Sequence, residues 1–231
     1  MLNLLPRPKF ITFDCYGTLV QWHRALKTGV RAVLAESSES VGADESLVTN
    51  IVEALRTLSM EQQQLPPYRD YKTILRCSLA EVMARERQYL RADYEETLLS
   101  YLRAIPPHPE VPAVLERLRA QFRLAIISNT DDDLIAGTVD AIGVPIDFVI
   151  TAQQARAYKP DHQLFRHAHA VIGVTPEETI HVGMGQVTDL KVCHELGIRV
   201  VWIDRLEETL NPEWTPDAVL PDLTLLPKLL A

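Results

Sequence analysis

Five short apolar runs constrain this chain more than any other feature. They are residues 9–13, 124–127, 148–150, 180–182 and 199–203. Each is too brief for a globular helix and lacks strict polar alternation, so each reads as a strand buried on both faces. Helix-period segments separate the later runs, among them residues 131–142 and 188–196, the second closed by Gly197 as a C-cap. Parallel neighbours can be joined only by a crossover, usually a helix. The expected fold is therefore α/β, a doubly wound, Rossmann-like parallel sheet covered on both faces.

The stretch between the first and second runs breaks this rhythm. Residues 22–105 show helix-type periodicity and no strand, with amphipathic segments at 47–60, 71–86 and 94–104. Pro66-Pro67 separates the first two, and Pro106-Pro107-His108-Pro109 marks the return to the sheet. The expected organisation is an α/β core of residues 1–21 and 106–231 with an all-helical cap, residues 22–105, inserted after the first strand. Such an insertion sits over the carboxyl ends of the strands, where open α/β sheets bind ligands.

Composition narrows the partners. Lysine and arginine number 23 against 31 acids, a net charge of −8. That balance speaks against nucleic acid, yet one local basic pocket is enough for a small anionic substrate. The apolar stretches fall well short of the roughly 20 residues a membrane span needs. Residues 1–8 are too short and too proline-broken for a signal peptide. Cys15, Cys77 and Cys193 are widely spaced with no Cys-x-x-Cys pair. They read as reduced thiols of a cytoplasmic protein, not a disulfide or zinc framework.

Polar residues gather where the strands end. Asp14 ends the first run, Ser128-Asn129 the second, Lys159 follows the third by a short loop, and Asp189 lies just past the fourth. Singly, each has an ordinary structural reading. Asp14 fits a turn, Ser128-Asn129 a helix start before Asp131-Asp132-Asp133, Lys159 an exposed loop, Asp189 a helix cap. Together, at one end of the sheet, they form a set for covalent catalysis. An aspartate attacks, a lysine keeps it ionised, a Ser/Asn pair holds an anion and a second carboxylate activates water.

Four segments carry a family resemblance: Phe13-Asp14-Cys15-Tyr16-Gly17-Thr18-Leu19, Ile127-Ser128-Asn129, Tyr158-Lys159-Pro160-Asp161 and His181-Val182-Gly183-Met184-Gly185-Gln186-Val187-Thr188-Asp189. They resemble the four motifs of the haloacid dehalogenase superfamily, and the first is similar to that of its (S)-specific 2-haloacid dehalogenases. The resemblance implies hydrolysis of short 2-haloalkanoic acids through an ester on Asp14, with Lys159 as its ion partner and Asp189 activating water. It also implies substrate contacts from Cys15 and Tyr16 in the turn, from Ser128, Asn129 and Gln186, and from Trp22 at the entrance. No metal or other cofactor is implied, and a homodimer formed through the helical insertion is compatible with it.

The alternative within the superfamily is a Mg-dependent phosphatase acting on a small phosphomonoester. Its members place a second aspartate where Tyr16 stands and an acidic metal ligand where Met184 stands. A thioether is a poor partner for a hard cation. Halide leaves as an anion and needs neither feature.

The chain departs from the dehalogenase pattern at four points. Ser and Asn are common where Met184 and Gln186 stand, and a tyrosine is expected at Phe165. The cap arginine that binds halide falls at Glu61. Arg69 is the candidate replacement, with a salt bridge to Asp70 or a helix-start role as its plain alternative. His23 reads as a pocket-entrance residue or a satisfied loop histidine. His162, His167 and His169 read as surface residues, not metal ligands, and Tyr89, Tyr94 and Tyr101 as core or subunit contact.

Overall fold

A computed structural model describes residues 6–37 and 44–231. Six strands form one parallel sheet: β1 (Phe10–Phe13), β2 (Arg123–Ser128), β3 (Phe148–Thr151), β4 (Thr179–Gly183), β5 (Arg199–Ile203) and β6 (Ala218–Leu220). Their order is β3-β2-β1-β4-β5-β6, parallel throughout. The chain winds outward from β1 to β3, then crosses back to lay β4 on the other side of β1. That reversal is the topological switch point, where adjacent connections diverge and leave a crevice. Phe13 pairs with Val182 in register, so the segments following β1 and β4 leave the sheet side by side.

The five expected strands are present. The sixth, β6, is only three residues long and lies between Pro216 and Pro221. No periodicity can emerge over so short a run, and its place comes from pairing with β5.

Between β1 and β2 come α1 (Trp22–Ser37), α2 (Glu45–Gln63), α3 (Tyr71–Arg85) and α4 (Tyr94–Leu102). Helix α1 packs on α4 and α2, and α2 on α3. The buried face of α2 is Val48, Ile51, Val52, Leu55 and Leu58, the three-and-four spacing of an amphipathic helix. Asp44 caps α2 and Asp70 caps α3 by accepting from Thr73 N–H at 2.9 Å. The first two amides of α3, Tyr71 and Lys72, donate to the Asp131 carboxylate at 2.9 Å each, and Lys72 pairs with Asp133 at 2.6 Å. The acid-rich start of α6 (Asp132–Ile142) thus anchors the helical layer to the sheet layer as well as serving its own dipole.

The rest of the sheet layer carries α5 (Val111–Arg119), α7 (Ala152–Ala155), α8 (His162–Ile172), α9 (Lys191–Leu196) and α10 (Leu226–Leu229). The helix expected from residue 188 starts with a widened turn over Gln186–Leu190. Gly185 C=O accepts from both Asp189 and Leu190 N–H, at 2.8 and 3.1 Å. Such π-turns recur at functional sites.

Two minor expectations are corrected. His169 is not a surface residue: it lies buried beside Thr179, its Nε2 3.3 Å from Thr179 Oγ1. Tyr94 packs partly buried against the core, whereas Tyr89 and Tyr101 are exposed, which removes the core half of their reading and leaves subunit contact. Among the described residues no helix is long and apolar enough to cross a membrane.

Candidate active site

Asp14 sits one residue beyond β1, held by its N–H on Val182 C=O at 2.9 Å. The turn that follows needs glycine. Gly17 has φ +93°, and a Cβ there would collide with the Met184 sulfur. Thr18 Oγ1 donates to Asp14 Oδ2 at 2.7 Å and accepts from Met184 N–H at 3.0 Å. One hydroxyl therefore fixes the nucleophile candidate and the loop after β4 relative to each other.

Lys159 is the centre of the site. Its Nζ donates to Asp14 Oδ1 at 2.8 Å, Asp189 Oδ1 at 2.7 Å and Ile127 C=O at 3.1 Å, which engages all three ammonium protons. Asn129 fixes the lysine backbone, accepting from its N–H at 2.7 Å and donating to its C=O at 2.9 Å. The other Asn129 contact is Gln63 Oε1 at 3.2 Å. With its amide so engaged, Asn129 positions Lys159 at the wall of the cavity.

Asp189 is held on both oxygens. Oδ1 takes Lys159 and lies 3.1 Å from His181 Nε2, while Oδ2 accepts from Gly185 N–H at 3.0 Å and Thr188 Oγ1 at 3.2 Å. Gly183 permits this close approach, since a Cβ there would lie 2.7 Å from the Asp189 carboxyl carbon. His181 Nδ1 lies 2.9 Å from Thr12 Oγ1, its paired residue on β1. Sequence reasoning passed over His181. The available signal was a histidine inside an otherwise apolar buried run.

Electrostatics follow from two acids sharing one lysine. Burial works against the Lys159 charge, but Asp14 and Asp189 more than reverse it and hold the ammonium above the ordinary lysine range. Burial raises the Asp14 carboxyl; Lys159 offsets this only in part, and the Asp189 charge adds to the rise. Asp189 is buried too, yet Lys159 and His181 overcome that and hold it far below the usual carboxylate range. Burial pushes the Tyr16 phenol well up, and its oxygen accepts from Thr130 Oγ1 at 3.2 Å.

Above this cluster lies a cavity of about 570 Å³, lined by Asp14, Tyr16, Trp22, Ser128, Lys159 and Asp189, and by residues of α2 and the segment after β5. Ser128 Oγ is buried and has no partner in the protein. The backbone N–H groups of Cys15 and Tyr16 hydrogen-bond to no described residue. The Cys15 thiol is fully buried and does not line the cavity. These unpaired donors suit an anion. His23 lines the same cavity with Nε2 buried and unpartnered, and burial with Arg56 and His108 lowers it to about 4. It is not the satisfied loop histidine.

The arginine that lines the cavity is Arg56, not Arg69. Arg69 lies outside the cavity lining; its guanidinium bonds the Gln62 side chain and C=O, and its own C=O accepts from Tyr158. Arg56, from α2, lines the cavity and stands 5.8 Å from the Trp22 ring centre. Gln186 also lines it, but its amide donates to Thr209 C=O at 3.0 Å and Glu208 Oε2 at 3.2 Å and accepts from Asn211 N–H at 2.7 Å. Gln186 builds the wall instead of offering a free amide to substrate.

The donor set does not suit Mg²⁺. That ion demands near-octahedral oxygen ligation. Here Asp14 is tied to Lys159 and Thr18, Asp189 is hydrogen-bonded on both oxygens, and Met184 presents sulfur beside them. Among the described residues no group of three or more His, Cys, Asp or Glu could hold a metal ion.

Fold and site define an α/β protein with a buried, lysine-paired aspartate facing a ligand cavity at the switch point. The family model described as haloacid dehalogenase-like hydrolase matches residues 8–197, and the chain belongs to that family. The phosphoserine phosphatase of Thermus thermophilus is 33% identical over 142 residues, 60% of this chain and 55% of the relative, so the match spans about half of that protein. The (S)-2-haloacid dehalogenase 4A of Burkholderia cepacia is 24% identical over 208 residues, 88% of this chain and 86% of the relative. The solved structure of L-2-haloacid dehalogenase from Xanthobacter autotrophicus, with chloropropionic acid covalently bound, superposes with TM-score 0.82. It is 22% identical and covers 96% of this chain and 98% of its own. That likeness shows the fold.

Proposed function

We propose that the protein hydrolyses 2-haloalkanoic acids to 2-hydroxy acids through an ester on Asp14. The Asp14 carboxylate attacks the carbon bearing the halogen, and the carbon–halogen bond breaks with its electron pair leaving as halide. Water then adds to the ester carbonyl carbon. The hydroxy acid departs with the former aspartyl oxygen, the carboxylate is regenerated and one proton is released. Lys159 keeps Asp14 ionised for attack. Ser128 Oγ, the free turn amides and Arg56 receive the substrate anion and the departing halide. The Asp189 charge draws in the water, whose proton passes to solvent.

One observation carries the reading: two residues past Asp14, where a phosphatase of this superfamily needs a carboxylic acid to protonate the departing alkoxide, stands Tyr16, its phenol oxygen engaged with Thr130 Oγ1. The neighbouring carboxylate, Asp189, is held ionised by Lys159 and His181, and the Tyr16 phenol is pushed far up by burial. A departing alkoxide needs an acid, whereas halide does not. The whole-length similarity to a haloacid dehalogenase supports the same reading.

The identity with a phosphoserine phosphatase favours a second reading, phosphomonoester hydrolysis. A single turnover of 2-chloropropionate in heavy-oxygen water, with chelator present, separates them. Halide release with the label entering the Asp14 peptide is expected. Label appearing in product without passing through the protein refutes the covalent route. Cleavage of 4-nitrophenyl phosphate that appears only with Mg²⁺, without halide release, establishes the phosphatase.

A further inference from the structure

We propose that the acid this site takes carries an apolar tail of medium length or an aryl group, so that acids larger than haloacetate or 2-halopropionate are preferred. The inference rests on the dehalogenase reading above and specifies its substrate class. The cavity measures about 570 Å³, in the range that accommodates drug-sized ligands, whereas 2-chloropropionate has only about six non-hydrogen atoms.

The cavity lining is of two chemical kinds. Asp14, Lys159, Ser128 and Asp189 are polar and all buried. The lining also includes the large apolar side chains of Trp22, Met60, Val187 and Trp214. Met60 is 47% and Val187 41% exposed although both are large and apolar, and exposed apolar surface beside a polar centre marks a ligand surface.

Several polar groups of the lining are already engaged within the protein. Ser59 Oγ donates to Arg56 C=O at 3.0 Å, Gln63 holds Asn129, and Gln186 holds Glu208, Thr209 and Asn211. That last set ties the segment between β5 and β6 against the cavity, which gives that wall a preformed shape. Beside Arg56, Trp22 Nε1 and His23 Nε2, the lining offers a ligand aromatic and aliphatic surface.

Binding and turnover test this separately. In the Asp14→Asn variant, where the chemistry is off, calorimetric titration with lactate, 2-hydroxyhexanoate, 2-hydroxyoctanoate and 3-phenyllactate should show affinity rising about fourfold per added methylene until the cavity fills. Adding Trp214→Ala should remove most of that gain and leave lactate binding unchanged. Val187→Ser, at an exposed position, repeats the comparison without disturbing the packing of Trp214. With the unsubstituted protein, halide release from 2-bromooctanoate should exceed that from 2-bromopropionate in kcat/KM. Affinity that stays flat with chain length, or a Trp214→Ala loss equal for all four acids, overturns the proposal. Length-dependent binding without halide release from any bromo acid upholds the ligand class and overturns the dehalogenase reading instead.

Discussion

Asp14→Asn should abolish turnover and leave the protein as stable as before, or slightly more so. Two carboxylates share Lys159, at 2.8 and 2.7 Å. At an effective dielectric near 20 the Asp14–Lys159 pair is worth roughly 6 kcal/mol. Because both oxygens touch one ammonium they are no more than about 5.5 Å apart, so their repulsion is about 3 kcal/mol or more. Desolvating the Asp14 charge costs about several kcal/mol further. Attraction and penalty nearly cancel, in keeping with a carboxyl raised by burial. Asparagine keeps the shape and can still accept from Thr18, while Lys159 and Asp189 remain as a balanced pair.

The expected change is therefore between zero and about +1 kcal/mol, or up to roughly 2–4 °C in melting temperature for a chain of this size. Activity should fall by as much as about a millionfold, as on loss of other nucleophiles. Lys159→Met does the opposite. It strands two buried carboxylates and should cost about 3–5 kcal/mol. Melts and urea titrations of both variants at pH 7 make the comparison. Since the folded Asp14 carboxyl lies above its ordinary 3.8, the folded state binds its proton more tightly than the unfolded chain. The ionised group therefore detracts from stability at neutral pH, and any advantage of Asp14→Asn must shrink as pH falls toward 3.8. A loss above about 2 kcal/mol in Asp14→Asn, or a Lys159→Met variant no less stable than it, would refute the charge argument.

The same geometry fixes four other outcomes. Turnover requires ionised Asp14, so its acid limb should lie above the ordinary aspartate value of 3.8, and a pH–rate profile falling only below that value contradicts the raised carboxyl. Ser128→Ala removes an unpartnered buried hydroxyl; KM for the anionic substrate should rise about 10- to 100-fold with no drop in melting temperature. Arg56→Met should raise KM by a similar factor, while Arg69→Met changes it less than about twofold, and the reverse pattern restores Arg69 to the site. Halide release should be indifferent to EDTA, whereas Met184→Asp should bring Mg²⁺-dependent cleavage of 4-nitrophenyl phosphate above background, measured by nitrophenol absorbance.

The catalytic candidates were legible because local rules agree on them. Asp14, Ser128, Lys159 and Asp189 follow apolar runs, and a parallel sheet brings the carboxyl ends of its strands to one edge. What the sequence hid was orientation. Asn129 and Gln186 can hydrogen-bond in any direction, and only tertiary contacts show that Lys159 and the segment after β5 occupy them. Arg56 was legible in principle, since with Ser59, Met60 and Gln63 it forms one three-and-four-spaced face of α2, all of it lining the cavity. Sequence position alone favoured Arg69, which lies just ahead of a helix start and bonds back to Gln62.

The site is also where the fold carries its least favourable features. A buried ion pair is at best weakly stabilising, and apolar replacements of similar volume are often neutral or better. This core holds two carboxylates on one lysine, an unpaired Ser128 hydroxyl and an unpaired His23 nitrogen, all lining one cavity. Stability alone would not retain the second carboxylate, the unpaired hydroxyl or the unpaired ring nitrogen, as the Asp14→Asn expectation illustrates. Their convergence at the switch point follows if the unpaired donors await an anion and the surplus negative charge is the attacking group. Substrate binding should then repair the defects that folding leaves open: a bound 2-hydroxy acid should raise the melting temperature of Asp14→Asn, and should do so much less once Ser128 is also replaced by alanine.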